Sequence, residues 1–273
     1  IMVIYALAAE ESVPHLFAAG MVPGLVLTLL FVMVIWVIAR VRPEWAPAGP
    51  SMPARERLKA ASSMWKLVVL FGFAVGGIYT GWFSPTEAAG IASFAAIVIA
   101  AFTRQLDIRQ FVDCVMETLR TTAMLMFIIM GAWIFAYFVV QTQLPKALID
   151  LIDFLDLAPW AVILVILVFY IILGCVLDAV AIILVTVPVF LPVVVTLGYD
   201  TVWYGILMVV VVEVGLITPP VGLNIFVIRA QLPDISLITV FKGIAPFLIA
   251  DAVLILLLLL FPQLALWLPG ILF

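Results

Sequence analysis

The chain has 273 residues, 67% of them apolar and 10% charged, with a mean hydropathy of +1.39. Globular chains are about half apolar and about a quarter charged, so this one has too few polar side chains to cover a surface in water, and a soluble domain is excluded. Twelve Lys and Arg against sixteen Asp and Glu leave a net charge of −4, and the absence of a basic patch interleaved with aromatics argues against a nucleic-acid partner.

The opening Ile1-Met2-Val3-Ile4-Tyr5 lies inside an apolar run and lacks the pattern of a signal peptide; it reads as a cut rather than a beginning. His15, the single histidine, stands beside Pro14 and cannot by itself supply a transition-metal site, so a structural or interfacial role is expected. Stretches free of Asp, Glu, Lys and Arg run over 12–39, 67–86, 88–103, 121–145, 157–177, 179–199, 214–228 and 252–273. A crossing helix needs roughly 20 apolar residues, and fewer where it is broken or re-entrant, which predicts about seven or eight membrane-embedded segments.

The longest polar interruption, Arg40 to Lys66, carries Arg40, Arg42, Arg55, Arg57, Lys59 and Lys66 with four prolines. The positive-inside rule makes 41–66 a cytoplasmic linker with a short interfacial helix in its second half. From that anchor 67–140 holds three crossings, with Arg104, Arg109 and Arg120 inside, and 141–158 is an interfacial helix outside, marked by Lys146, Asp150, Asp153 and Asp156. Asp178 alone separates the apolar arms 157–177 and 179–199. One carboxylate is too little for a surface loop but suits a tip buried in protein at mid-depth, so a re-entrant hairpin entering from outside is favoured. A crossing interrupted near Thr218 then ends inside at Arg229, and 231–273 supplies the final crossing and tail. Cys114 and Cys175 lie in apolar runs without metal-ligand or CxxC spacing and read as small buried residues.

Chemistry is concentrated in Glu213-Val-Gly215-Leu-Ile-Thr218-Pro219-Pro220-Val221-Gly222-Leu-Asn224. Two prolines remove two amide donors and two glycines ease non-helical dihedrals, so Pro219, Pro220 and Gly222 break the helix and free carbonyls at membrane depth. Such carbonyls, with the Thr218 hydroxyl, form the hard oxygen cage a desolvated Na⁺ accepts; the plainer alternative is a proline kink satisfied by neighbouring helices. Asp178 either caps the helix after it or contacts ion or substrate, and the two roles are compatible. Glu213 and Asn224 flank the break, with structural hydrogen bonding as the alternative to a ligand role, and Gly174 is small enough to bring a tip carbonyl to the break. Ser84-Pro85-Thr86-Glu87 has the form of a capping box that starts a scaffold helix. Asp251, within the last span, is expected to find a hydrogen-bond partner or a polar interface. Enzyme motifs such as a phosphate loop, nucleophile elbow or HExxH are absent, and no cofactor is implied.

The runs Gly77 to Ala89, Gly174-Cys-Val-Leu-Asp178 and Gly215 to Asn224 together resemble the large membrane subunit (DctM type) of tripartite ATP-independent periplasmic, or TRAP, transporters, over most of 60–260. The resemblance implies an all-α integral membrane protein, the second repeat of an inverted-repeat elevator with a re-entrant hairpin at 159–198 and a broken helix at 199–230. It implies Na⁺-driven symport of an organic acid, a C4-dicarboxylate or sialic acid, across a bacterial or archaeal inner membrane. The cargo would be delivered by a periplasmic (DctP-type) binding protein, with a small (DctQ-type) membrane subunit completing the scaffold. Carried over, one Na⁺ cage comprises Gly174, Gly215, Thr218 and Val221, the last by its carbonyl alone. Residues 1–40 resemble the end of the first repeat, which places the second Na⁺ site and half of the substrate site upstream. The alternative is a channel-like or structural membrane subunit without its own ion site.

Overall fold

A computed structural model describes all residues except 46–52, 54, 57–61, 63, 104–105, 221 and 232–234. Most of the linker 41–66 therefore lies outside the described residues. The described chain is helical, without strands, as expected where lipid offers no hydrogen bonds and the backbone must satisfy its own groups. Five helices are long and apolar enough to cross a membrane, namely Val13–Val41, Pro85–Phe102, Ile108–Gln141, Ala179–Thr196 and Leu237–Leu260, and several shorter ones are equally apolar. The chain divides into two compact units, 46–127 and the remainder, each taken by itself.

In the larger unit the elements are α1 (Met2–Ala9), α2 (Val13–Val41), then α6 (Leu144–Phe154), α7 (Pro159–Gly174), α8 (Ala179–Thr196), α9 (Thr201–Ile217), α10 (Leu223–Gln231), α11 (Leu237–Leu260), α12 (Gln263–Leu266) and α13 (Pro269–Leu272). The smaller unit holds α3 (Trp65–Tyr79) and α4 (Pro85–Phe102); α5 runs from Ile108 to Gln141. It begins ahead of the charge-free stretch, taking in Arg109, Asp113, Glu117 and Arg120.

Helix starts follow capping chemistry. The side chains of Asp178, Asp200 and Ser236 accept from the amides of Val180, Trp203 and Thr239, each satisfying an orphan donor. Ser84 and Glu87 form a reciprocal box at α4: the Ser84 amide donates to Glu87 Oε2 at 2.8 Å, the Glu87 amide donates to Ser84 Oγ at 3.3 Å, and Pro85 follows the cap. Pro262 stands where α11 would otherwise continue, the chain turns there into α12, and Pro269 opens α13.

The core of the larger unit is built around α9, whose Trp203, Tyr204, Ile206, Leu207, Met208, Val211 and Val212 are buried against α1, α2, α7, α8, α11 and α12. Its few polar contacts are closed. Tyr5 donates to the Thr201 carbonyl at 2.7 Å, the Tyr170 and Tyr204 hydroxyls are 2.7 Å apart, and the Trp203 indole donates to the Leu258 carbonyl at 2.8 Å. That last bond answers a local defect, because Pro262 has no amide to return to Leu258. His15 lies against the Phe273 ring, centroids 4.4 Å apart.

Cys114 departs from expectation: it is exposed on α5, whereas Cys175 is buried. Asp113 is the neighbour of Cys114 and Glu117 lies one turn on, so Cys114 sits in the charged first half of α5, outside the charge-free stretches, whereas Cys175 lies in a wholly apolar run. Many large apolar side chains of α5, including Phe127, Trp133, Ile134 and Tyr137, are likewise exposed.

Candidate ion and substrate site

The α7–α8 hairpin and the α9–α10 break meet at two glycines. A Cβ on Gly174 would lie 2.7 Å from the Gly215 Cα and 3.1 Å from the Val212 carbonyl oxygen; one on Gly215 would lie 2.7 Å from the Gly174 Cα and 3.0 Å from the Ile171 oxygen. Only hydrogen side chains permit this approach, so backbone touches backbone where α7 ends and α9 nears its end.

Beyond Gly215 the helix stops. Thr218 is extended (φ −90°, ψ 139°), its amide donates to the Gly215 oxygen at 3.1 Å, and its hydroxyl donates to the Val214 oxygen at 2.6 Å. Pro219 and Pro220 follow, exposed, joined by a cis peptide. Gly222 has a left-handed φ of +61°, a conformation costly for other residues, and its carbonyl accepts from Ile225 at 2.8 Å as α10 begins. The Cys175 thiol donates to the Pro219 carbonyl at 3.4 Å, a tie between tip and break that sequence spacing does not reveal. Gly174, Gly215 and Thr218 are thus brought together, while Val221 lies outside the described residues.

The electrostatics of this meeting point follow from helix ends. The amides of Cys175, Val176 and Leu177 turn back to Ile171 and Leu173, and none of the three returns to the Gly174 carbonyl. Thr218 commits its proton to Val214 and keeps its oxygen lone pairs, so it can accept a cation without losing that bond. Two helix C-termini, α7 and α9, carry partial negative charge to one place, while the N-termini of α8 and α10 carry partial positive charge beside it.

Asp178 is exposed at the tip and caps α8 through Val180 at 3.0 Å. Glu213 and Asn224 are also exposed. Asp251 differs from the expectation of a partner or polar interface: it is buried on α11 and lines a cavity of about 380 Å³ together with Glu213. A lone carboxylate in an apolar run was the only sequence signal for it.

Comparison with known proteins decides the family. The description "Tripartite ATP-independent periplasmic transporter, DctM component" matches residues 1–264. This chain belongs to the DctM family. It is 40% identical over 262 residues to the C4-dicarboxylate TRAP transporter large permease protein DctM of Pseudomonas aeruginosa, covering 91% of this chain and 61% of that protein. It is 29% identical over 269 residues to the sialic acid TRAP transporter large permease protein SiaM of Vibrio cholerae, covering 98% of this chain and 62% of the relative. A third relative, the isethionate TRAP transporter permease protein DctMQ of Oleidesulfovibrio alaskensis, is 34% identical over 227 residues, covering 82% of this chain and 35% of the relative. The chain thus spans about three-fifths of the length of the first two relatives. These DctM-family relatives are permeases, not enzymes, and family and apolar helices together make the chain part of a multi-pass membrane protein.

Proposed function

We propose that this DctM-family chain forms the hairpin and broken-helix half of a Na⁺-coupled organic-acid symporter of the inner membrane. Na⁺ binds between Gly174, Gly215, Thr218 and the Val221 carbonyl. The observation that carries the reading is the Gly174–Gly215 contact, which sets two helix C-termini beside a hydroxyl whose proton is already committed. Carbonyl oxygens and partial negative charge are what a desolvated monovalent cation needs.

The acid binds on the other polarity of the same place, where the starts of α8 and α10 bring the partial positive charge of helix N-termini near Asp178 and Asn224. The named cargoes of the relatives, C4-dicarboxylates, sialic acid and isethionate, support an anionic substrate. Because the ion and the acid share one junction, binding of each lowers the cost of the other. The loaded unit then moves across the membrane as an elevator, with a periplasmic binding protein delivering cargo and a small membrane subunit completing the scaffold.

The test is uptake of labelled organic acids into proteoliposomes by the full-length protein with its small subunit and binding protein, under an imposed Na⁺ gradient. Wild-type uptake should require both Na⁺ and binding protein, and Thr218→Ala should weaken its Na⁺ dependence. Uptake indifferent to Na⁺, or to the substitution at every Na⁺ concentration, reduces the break to a structural kink.

A further inference from the structure

Asp251 sits near the middle of α11, a span long and apolar enough to cross the membrane. It is 5% exposed and forms no hydrogen bond or ion pair with any described residue, yet its oxygens are not sealed off, since no fully buried side-chain oxygen among the described residues lacks a partner. Its side chain instead opens onto the cavity of about 380 Å³ between α2, α9 and α11, beside Pro23, Gly24, Phe31, Val210 and Leu254.

An ionised carboxylate withdrawn from water costs several kcal/mol unless a cation, a metal or a set of donors compensates it. Among the described side chains lining the cavity none of these is found. The cavity lining from α1 (Met2) and α2 is apolar, with Tyr5 of α1 outside the lining and His15 and Arg40 toward the two ends of α2. From α9 the lining includes one ionisable group, Glu213, which is of like charge, and Tyr204 does not line the cavity. Arg229 on α10 and Lys242 on α11 do not line it either, and α12 has no ionisable residue. No group of three or more His, Cys, Asp or Glu suited to a metal occurs among the described residues. The compensation that needs the fewest ligands is a proton.

We propose that Asp251 is an intramembrane proton-binding site, a neutral carboxylic acid whose O–H faces the cavity between α2, α9 and α11. The cavity adjoins the Gly174–Gly215–Thr218 junction through Val214 and Ile217, but the Asp251 carboxyl is not one of the groups of that junction, and the proposal holds whether or not the junction binds Na⁺. Water entering the cavity solvates the carboxylate and releases the proton; drying the cavity returns it. Proton occupancy is therefore linked to any movement that opens α2 from α9 and α11.

The experiment is infrared difference spectroscopy on the full-length protein with its small subunit in lipid vesicles, with aspartate labelled by carbon-13 at its side-chain carboxyl. At neutral pH the wild type should show a protonated-acid carbonyl band that shifts with the label and in D₂O. Asp251→Asn should abolish that band, and Glu213→Gln should leave it in place. Asp251→Glu, which keeps an acid at the site, should retain an acid band that no longer responds to the label. A wild type without a label-sensitive acid band overturns the proposal without recourse to any variant. A band that survives Asp251→Asn, or an acid band absent from Asp251→Glu, overturns it as well.

Discussion

Gly174 and Gly215 meet so closely that a single methyl group on either would stand 2.7 Å from the Cα of the other. The obstacle is backbone on both sides, so no side-chain rotation relieves it. Gly215→Ala should force α7 and α9 apart, at about 1–3 kcal/mol for an overpacked contact. Thermal unfolding of the full-length complex with and without Na⁺ checks this: the midpoint falls, and the Na⁺-induced increase shrinks or disappears. A variant with the wild-type midpoint and Na⁺ response shows that the helices part freely.

Thr218 separates hydroxyl chemistry from shape. Thr218→Ser should keep the donor to Val214 and the oxygen facing the junction, whereas the similarly shaped Thr218→Val loses both. A lost oxygen ligand worth about 1.4 kcal/mol raises the half-saturating Na⁺ concentration of uptake about tenfold. Thr218→Ser should stay within a few-fold of wild type in the same titration. Equal effects of Ser and Val contradict a role for the hydroxyl.

Asp178 accepts from the Val180 amide, and an asparagine oxygen can do the same. Asp178→Asn should therefore unfold at nearly the wild-type temperature, while Asp178→Ala loses the cap and about 1 kcal/mol. A loss in Asn as large as in Ala would show that the charge, and not the cap, is the stabilising feature.

The indole of Trp203 is the partner of a carbonyl that Pro262 leaves without its helical amide. Trp203→Phe should preserve much of the packing yet strand the Leu258 oxygen in an apolar setting, at about 1–3 kcal/mol. Thermal unfolding reads this as a lowered midpoint. Pro262→Ala, which restores an amide, should recover part of the loss when combined with Trp203→Phe.

Several features were legible in the residue order because their physics is local. The α4 start at Ser84, Pro85 and Glu87 needs only residues three apart, and the end of α9 before Pro219 needs only the missing amides of proline. The single Asp178 between two apolar arms likewise coincides with a short turn between α7 and α8. The exposure of Cys114 accords with Asp113 and Glu117 beside it, a local polarity that outweighs the preference of cysteine for burial. Asp251 was misjudged because its partner or lack of one depends on helices far away in sequence.

Composition, the charge-free stretches and the placing of proline and glycine by themselves determined that this chain is helical, that lipid is its solvent and where its helix breaks near Thr218, because backbone satisfaction in a bilayer leaves few other choices. Tertiary structure alone decided which break meets which tip. Gly174 and Gly215 are separated by a whole helix and its connections, and their contact depends on α7 and α9 packing side by side. The packing of α2 and α11 against α9 likewise encloses Asp251 beside a cavity, where a charge that would be ordinary in water must find another means of support.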